Sequence, residues 1–302
     1  MNNKVNGELV RIKEGILRFS SEISPELNTQ LRFLDMYGHT IDLKNPKSFS
    51  EKISWLKINE YSKSDLVAKC SDKYTVRDYV IKCGLGTCLN ELIGAYKNVT
   101  DVPWEDLPDS FVLKWNFGSG YNFICPDKTK VDLWQKADLL NEWGKKKYWR
   151  VYSELQYKNR SKYLLCEKYL LPARGHSLLD YKIYCFSGLP KAILIIDRED
   201  SEQIKASFMT VEWDKIEGKL ERYKSFENPE KPINLKQMVE AASILSKGFP
   251  FVRVDFYDTD HGAIFGEMTF TPHGGIYPSE TPREVMDMGE LLIIDNYLRN
   301  RQ

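Results

Sequence analysis

The sequence lacks an excess of charge of either sign. Lys+Arg and Asp+Glu each number 43 in 302 residues, so the net charge is zero. Binding to nucleic acid through its phosphates normally requires a basic excess, so no nucleic-acid partner is expected. No apolar run approaches the roughly 20 residues of a membrane-spanning helix, and the first residues lack the apolar core of a signal peptide. We therefore expect no membrane span.

Cysteines spaced for a metal or redox site are also missing. The chain has six cysteines, and no two of them are separated by only two residues. Several lie in apolar stretches, where cysteine behaves as a small hydrophobic residue. These patterns are typical of reduced thiols in a cytoplasmic protein.

Capping residues predict a helical N-terminal part that extends to about residue 84. Ser24-Pro25-Glu26 offers an N-cap followed by proline, and Ser48–Glu51 fits a capping box. Ser71-Asp72 is predicted to begin another helix, with Gly84 as its stop signal. A further capping box at 281–284 predicts the last helix.

From Phe111 onward the pattern changes to a mixture of strands and helices. Strands are predicted at 111–115, 121–125, 163–169, 181–186, 191–196, 251–257 and 263–269, and helices at 131–157 and 234–247. The stretch 199–232 is too poorly patterned to assign. Hairpin spacing without strict βαβ alternation predicts an α+β fold.

Two carboxylates stand among apolar residues in the last two predicted strands, Asp255 and Glu267. A buried carboxylate without a partner is costly, so each acid needs a cation or a hydrogen-bonded partner. Two carboxylates that face one gap across a hairpin can bind Mg²⁺, which commonly accompanies nucleotide phosphates. The pair therefore makes the chain a candidate user of ATP.

A glycine-containing turn joins the two predicted strands that begin at Phe111. The turn, Asn116–Gly120, lacks the Gly-Lys-Ser/Thr ending and the following helix of a Walker loop. Its backbone N–H groups could instead close over phosphates, with Lys114 beside them. The alternative is an ordinary hairpin with a lysine at its edge. The strand that ends in Glu167-Lys168 could likewise seat an adenine, or simply run into solvent.

Taken together and in order, these features resemble the ATP-grasp superfamily. Five phrases resemble its teichuronopeptide-biosynthesis (TupA-like) branch, from about residue 30 to 298. They are Asn45–Ile53, Ser71–Arg77, Phe111–Gly120, Asp180–Ile183 and Asp197-Arg198. The resemblance implies an ATP-grasp fold, in which two α+β lobes clasp a nucleotide and a helical region precedes them. The implied regions are 1–45 (helical extension), 46–110 (pre-grasp region), 111–175 (glycine-lid lobe) and 176–302 (metal-binding lobe).

The resemblance also assigns roles to single residues. Lys73 and Lys114 would contact ATP phosphates, and Arg198 and Arg253 would stabilise charge on the transferred phosphate. The implied mobile lid consists of Gly118, Ser119 and Gly120. The implied adenine, ribose and nucleotide contacts are Glu167, Lys168, Leu170, Asp180 and Lys182.

Metal ligands and acceptor contacts complete the implied site. Asp255 and Glu267 would hold Mg²⁺, while the superfamily's usual third ligand, an Asn two residues after the Glu, is here Thr269. Because threonine replaces asparagine here, binding of a second Mg²⁺ is left as an open question. Candidate substrate contacts are Arg174, His176, His273 and Gly274.

The implied activity is that of an ATP-dependent carboxylate–amine ligase in bacterial surface-polysaccharide synthesis. Its cofactors would be ATP and Mg²⁺, and its small-molecule substrates an amino acid and a carboxylated sugar or sugar nucleotide. An acylphosphate intermediate would need charge neutralisation and positioning rather than a protein nucleophile. Open alternatives are a kinase that acts on a sugar or amide, a glycosyltransferase, and an inactive nucleotide-binding scaffold. The sequence leaves the oligomeric state undetermined.

Overall fold

The N-terminal region is helical, as its capping residues predict. The computed structural model describes residues 2–175, 177–218, 220, 223–276 and 287–299, with side chains from residue 7 onward. Helices α1 (Asn2–Ile23) and α2 (Pro25–Tyr37) form an antiparallel hairpin. Ser24 caps α2, and the predicted capping box of Ser48 and Glu51 begins α3 (Phe49–Asn59).

The predicted helix start at Ser71-Asp72 is wrong. Ser71 is the last residue of α4 (Asp65–Ser71), and α5 (Val76–Lys82) begins four residues after Asp72. Between them, Asp72 Oδ1 accepts the backbone N–H groups of Tyr74 and Thr75 and so stabilises a tight turn. Gly84 stops α5 as predicted, with a left-handed φ of 79°.

A four-stranded antiparallel sheet forms the smaller lobe. Its strands are β1 (Leu92–Tyr96), β2 (Phe111–Trp115), β3 (Asn122–Cys125) and β4 (Leu164–Lys168), in the order β1-β4-β2-β3. Alternation along β2 points Phe111, Leu113 and Trp115 into a core that includes Leu140 of α6 (Leu133–Gly144). Helix α6 is shorter than the predicted 131–157. The opposite face of the sheet carries Lys114.

A seven-stranded sheet forms the larger lobe. Its path is β11-β10-β5-β6-β7-β8, and β9 pairs with β7 in parallel. The strands are β5 (Asp180–Phe186), β6 (Leu189–Asp197), β7 (Lys205–Met209), β8 (Lys215–Ile216), β9 (Lys224–Ser225), β10 (Phe251–Thr259) and β11 (Gly262–Thr269). The previously unassigned stretch 199–232 thus supplies three short strands. The mixture of helices and antiparallel sheets confirms the α+β prediction.

Strand β10 presents one face to the core of the larger lobe and carries charged side chains on the other. Val252, Val254 and Phe256 are buried on one side of the strand, and α7 (Leu235–Leu245) packs against the sheet. Arg253 and Asp255 alternate with them and so occupy the other face. The alternation of apolar and charged residues in this strand therefore decides which side chains lie on the face opposite the core.

Two short helices, α8 (Met288–Leu291) and α9 (Asp295–Arg299), end the described chain. The capping box at 281–284 lies outside the described residues. Within the described residues, no helix combines the length and apolar character that crossing a bilayer requires.

A buried lysine connects the N-terminal helices with the larger lobe. Lys57 of α3 is fully buried, and its ammonium donates to the carbonyls of Tyr152 (2.8 Å) and Gly274 (2.7 Å). Burial lowers the pKa of Lys57 to about 8, against the opposing charge of Glu154. This side chain fixes the turn that follows β11.

We expect Lys57→Met to lower the free energy of unfolding by about 2–4 kcal/mol, because two buried carbonyls lose their donor. Urea denaturation would measure the change. Lys236→Met is the matched control: that side chain is 89% exposed, and its loss should change stability by less than about 0.5 kcal/mol. An unchanged denaturation midpoint for Lys57→Met would contradict the role assigned to this lysine.

Candidate active site

The two predicted metal-binding acids lie directly opposite each other. The register of β10 and β11 pairs Asp255 with Glu267, and the register of β10 and β5 pairs Asp255 with Lys182. Lys182 Nζ lies 2.6 Å from Asp255 Oδ2. Arg253 binds the same carboxylate through two hydrogen bonds of 2.7 Å. Three neighbouring strands thus bring charged side chains of both signs to one point.

Glu267 is surrounded by cations as well. Lys73 Nζ lies 3.1 Å from its Oε2, and Arg253 Nη2 lies 3.4 Å from its Oε1. Thr269 accepts a hydrogen bond from Arg253 (3.0 Å) and donates one to Glu267 (3.3 Å). Desolvation acts to raise the pKa of Glu267, but the charges of Lys73, Lys182 and Arg253 outweigh it and lower the pKa to about 2. The carboxylate is therefore ionised at neutral pH.

Asp180 extends this cluster along β5. Its Oδ2 lies 3.2 Å from Arg198 Nη1 and 4.0 Å from Lys182 Nζ. The Arg198 side chain is 49% exposed, so it has room to move toward a ligand. The structure thus places Asp180, Lys182 and Arg198 beside the paired acids.

The smaller sheet contributes a second charged group. Lys114 Nζ lies 2.8 Å from Glu167 Oε2, and both side chains occupy the sheet face opposite the core. Asn90 donates to the same carboxylate oxygen at 3.3 Å, and an Arg77 nitrogen lies 3.9 Å from Oε1. Lys168 next to it is 58% exposed. The buried Glu167 thus pairs with the partly buried Lys114, whereas Lys168 reaches solvent.

Charged groups of the two sheets meet in one cleft. Lys73 donates to the carbonyl of Gly118 (2.6 Å) while it pairs with Glu267. Desolvation raises the pKa of Tyr257 well above its ordinary value, and carboxylates of both sheets, Asp180 and Glu167 among them, raise it further. Lys73 therefore links the glycine turn of the smaller lobe to the acids of the larger lobe.

The predicted lid is a glycine turn with a constrained base. Gly118 and Gly120 have left-handed φ angles of 66° and 82°. A Cβ on Gly118 would lie 2.6 Å from the ring of Tyr148, so the close approach also requires glycine. At the base, Asn116 donates to Asp72 Oδ2 (2.6 Å) and to the carbonyl of Ser161 (3.0 Å).

The predicted acceptor contacts lie in different parts of the structure. His273 and Gly274 form a turn with φ angles of 51° and 69°, close behind β11. Arg174 lines a small cavity with Tyr181 and Asp258, which lie on the sheet face opposite Lys182 and Asp255. The structure does not bring Arg174 to the charged cluster. His176 lies outside the described residues.

Four residues of this region received no side-chain role from the sequence. They are Arg77, Asn90, Asn116 and Glu154. Glu154 is 3% exposed and accepts a hydrogen bond from Thr271 (2.6 Å), and burial raises its pKa to about 6. Asn116 and Arg77 lie inside phrases that carry the family resemblance, which is the only sequence signal for them. Glu154 and Asn90 stand in stretches without a recognisable motif.

The donor atoms suit Mg²⁺ held together with phosphate oxygens. Asp255, Glu267 and Thr269 present carboxylate and hydroxyl oxygens, the hard ligands that Mg²⁺ prefers, at one point of the sheet. Within the described ranges, no group of three or more His, Cys, Asp or Glu side chains could hold a metal by itself. A site with few protein ligands fits an ion that shares its coordination with a substrate.

Comparisons with known proteins found distant structural similarities. Similar solved structures include D-alanine–D-alanine ligase from Bacillus anthracis, with 18% identity, a TM-score of 0.49, and coverage of 77% of this chain and 69% of that one. ATP-grasp ligase PsnB with its minimal precursor has 14% identity, a TM-score of 0.41, and coverage of 80% and 64%. N5-carboxyaminoimidazole synthase from Aspergillus clavatus has 14% identity, a TM-score of 0.39, and coverage of 68% and 45%. No curated protein matches the sequence.

The family assignment comes from the sequence itself. The TupA-like ATPgrasp family model matches residues 51–292, which include the lysines, the glycine turn and the acid pair described above. The resemblance inferred from five sequence phrases is thereby confirmed. This chain belongs to the TupA-like ATP-grasp family and has the ATP-grasp fold.

Proposed function

We propose that the protein is an ATP-dependent ligase that joins a carboxylate to an amine. The carboxylate oxygen would attack the γ-phosphorus of ATP and release ADP. The amine nitrogen would then attack the acyl carbon, lose a proton and expel phosphate. The proposed setting is bacterial surface-polysaccharide synthesis, with an amino acid and a uronic acid or related carboxylated sugar as substrates.

One observation carries this proposal: three cations converge on two opposed carboxylates in the cleft. Lys73, Lys182 and Arg253 all lie within 3.4 Å of Asp255 or Glu267. The cations exceed the carboxylates by one charge, which suits a polyphosphate ligand. Phosphoryl transfer depends on this kind of positioning and charge neutralisation.

Each residue of the cluster has a distinct task in the proposed reaction. Asp255, Glu267 and Thr269 would hold Mg²⁺, which supplies positive charge at the phosphate oxygens when bound. Lys73 and Arg253 would exchange their carboxylate contacts for phosphate oxygens and so stabilise the transferring group. Their present hydrogen bonds preorganise them for that exchange.

The smaller lobe would bind the rest of the nucleotide. Lys114 lies on the cleft face of β2, where it can reach a phosphate, and Glu167 on β4 can accept from an adenine or a ribose hydroxyl. The turn 118–120 would close over the phosphates with its backbone N–H groups. Closure would also exclude water, which would otherwise hydrolyse an acylphosphate.

The acceptor would bind next to the turn that follows β11. His273 and Gly274 border that region, and the buried Lys57 ammonium holds Gly274 in place. We propose that this turn orients the amine or the acid. Fixing a reacting group within about 3–3.5 Å of its partner is a large source of rate acceleration.

The function predicts release of ADP, phosphate and an amide from a matched pair of substrates. An ADP-release screen of uronic acids against amino acids, with mass spectrometry of the products, tests it. Asp255→Asn and Glu267→Gln should each reduce turnover at least 100-fold, because each removes a charged oxygen ligand from the phosphate site. Asp260→Asn, an exposed change in the turn of the same hairpin, is the matched control.

Other products would change the assignment. A phosphorylated product without free phosphate would instead indicate a kinase. A glycosyl product from a nucleotide sugar would indicate a glycosyltransferase. Full turnover in both acid variants would remove Asp255 and Glu267 from the phosphate site.

We further expect Glu267 to stabilise the nucleotide-free protein in a pH-dependent manner. Its folded pKa of about 2 lies below the ordinary 4.5, so its contribution is present above pH 4.5 and is lost as the pH falls toward 2. At pH 7, Glu267→Gln should reduce the free energy of unfolding by on the order of 3 kcal/mol. Chemical denaturation at several pH values measures the difference between variant and wild type.

That difference should fall by more than half between pH 6 and pH 3. Asp260→Asn again serves as the control and should show little difference at either pH. A constant difference for Glu267→Gln over this range would show that Lys73, Lys182 and Arg253 do not hold the carboxylate ionised.

A further inference from the structure

A basic cavity lies beside the glycine turn. Its volume is about 320 Å³, at the lower end for sites of small molecules. Five cationic side chains line it: Lys146, Lys147, Lys158, Arg160 and Lys162. Because the whole chain has no net charge, this concentration of positive charge is local. We call this feature the basic cavity.

The positive charge of the basic cavity is poorly compensated. Among the described residues, Lys146, Lys147 and Lys158 have no carboxylate within salt-bridge distance, and Arg160 has one at 3.5 Å. Glu22 at its rim is already paired with Arg150. Like charges gathered without counter-ions repel one another. An anion would relieve that repulsion.

The acid at the inner wall does not neutralise these lysines. Asp72 is 6% exposed, and its oxygens accept hydrogen bonds from the side chain of Asn116 and from two backbone N–H groups. Burial raises the pKa of Asp72. The Lys162 ammonium lies 4.8 Å from the ring centre of Phe117 and donates to the carbonyls of Gly144 and Lys146. These contacts shape the wall and leave Lys146 and Lys147 available, while the Lys158 ammonium lies 4.5 Å from the ring centre of Trp149.

Two tyrosines line the basic cavity close to the glycine turn and the acid cluster. Tyr148 and Tyr157 line it, and Tyr148 also packs against the glycine turn. Burial raises the pKa of Tyr157, and nearby carboxylates, including Glu154 and Glu267, raise it further. Tyr157 therefore lines the cavity and also lies near the carboxylate of Glu267. A ligand in the cavity would extend toward the proposed site of phosphoryl transfer.

We propose that the basic cavity binds a phosphate or carboxylate group of the acceptor substrate, away from its reacting end. The inference rests on the proposed ligase function and specifies the substrate as an acceptor with at least one extra negative charge. Binding energy from such a remote group can position the reacting atoms. The basic cavity would thus select anionic acceptors over neutral ones.

Calorimetry on the full-length protein with saturating Mg²⁺ and a non-hydrolysable ATP analogue tests the proposal. Trigalacturonate offers carboxylates only, and UDP-glucose offers a diphosphate only. We expect one of these probes to bind, and to bind at least tenfold more weakly to K146A/K147A/K158A. The matched control K130A/K145A/K236A removes equal charge at side chains that are 79%, 71% and 89% exposed, and it should retain affinity within twofold.

The design separates this inference from the proposed function. The ATP analogue, titrated without either probe, should bind K146A/K147A/K158A as tightly as it binds the wild type. If the analogue binds and neither probe does, the basic cavity has no such role while the ligase proposal stands. If both triple variants lost probe affinity equally, the loss would come from the change in net charge rather than from the basic cavity. That result would overturn the inference.

The N-terminal hairpin carries a second, independent feature, an apolar stripe along α1. Leu9, Ile12, Ile16, Phe19 and Ile23 are each 54–64% exposed. Their spacing alternates between three and four residues, the repeat of a coiled-coil seam. Leu27 and Leu34 of α2 are 38% and 44% exposed and lie seven residues apart. The hairpin precedes the family-matched region, 51–292.

The contacts between the hairpin and the rest of the chain leave this stripe facing solvent. Ser21 donates to the carbonyl of Arg150 (2.8 Å), and Arg32 donates to the carbonyl of Val151 (2.9 Å). Lys13 pairs with Asp35 between the two helices (2.6 Å). Helical geometry therefore points the apolar residues of the stripe away from the rest of the chain.

We infer that the stripe packs against the same stripe of a second copy, so that two hairpins form a four-helix bundle. Covering these seven apolar side chains, each 38–64% exposed, in both copies would bury on the order of 1,200–1,600 Å², the size of a stable interface. Four basic and three acidic residues accompany the stripe on α1. A helix that binds membranes normally has a polar face dominated by Lys and Arg, so a protein partner fits better.

Sedimentation equilibrium of the full-length protein tests this inference. Wild type should be a dimer, and I12E/I16E should be a monomer with unchanged circular dichroism. I124E/L189E, at positions 60% and 56% exposed elsewhere, is the matched control and should remain dimeric. A monomeric wild type, or a dimer that persists in I12E/I16E, would overturn the inference.

Discussion

The candidate site depends on the ionised pair of Asp255 and Glu267, held across two strands among cations. Each carboxylate needs its partners, because an isolated charge at this depth would be expensive. Lys182 and Arg253 satisfy Asp255, while Lys73 and Thr269 complete the surroundings of Glu267. These contacts reduce the free-energy cost of burying the carboxylates. They also place positive charge at the proposed binding site for a polyphosphate.

One lysine of this cluster contacts both lobes. Lys73 arises from the turn between α4 and α5, contacts the glycine turn of the smaller lobe, and pairs with an acid of the larger lobe. Asn116 fixes the base of that turn through Asp72 and Ser161. In the proposed reaction, closure of the turn and binding of phosphate would therefore be coupled through one lysine. The basic cavity adjoins the same base, so an anionic acceptor would bind next to the coupling point.

Local patterns predicted much of the fold. Alternation in β2 and β10, the hairpin spacing and the capping box of Ser48 and Glu51 each follow from nearest-neighbour physics, and these elements form as expected. Ser71-Asp72 misled the prediction because Asp72 caps a turn rather than a helix. The stretch 199–232 escaped assignment because its three strands are short, and two-residue strands have too few positions to show a period.

The sequence by itself determined the identity of the acids, Lys114 and the glycine turn, because alternation and φ preference are local properties. Only the tertiary structure decided that Asn116, Asn90 and Arg77 join the site, that Arg174 lies away from it, and that dispersed lysines line one cavity. Those relations depend on register and packing between residues far apart in the chain, for which a single sequence carries no periodic signal.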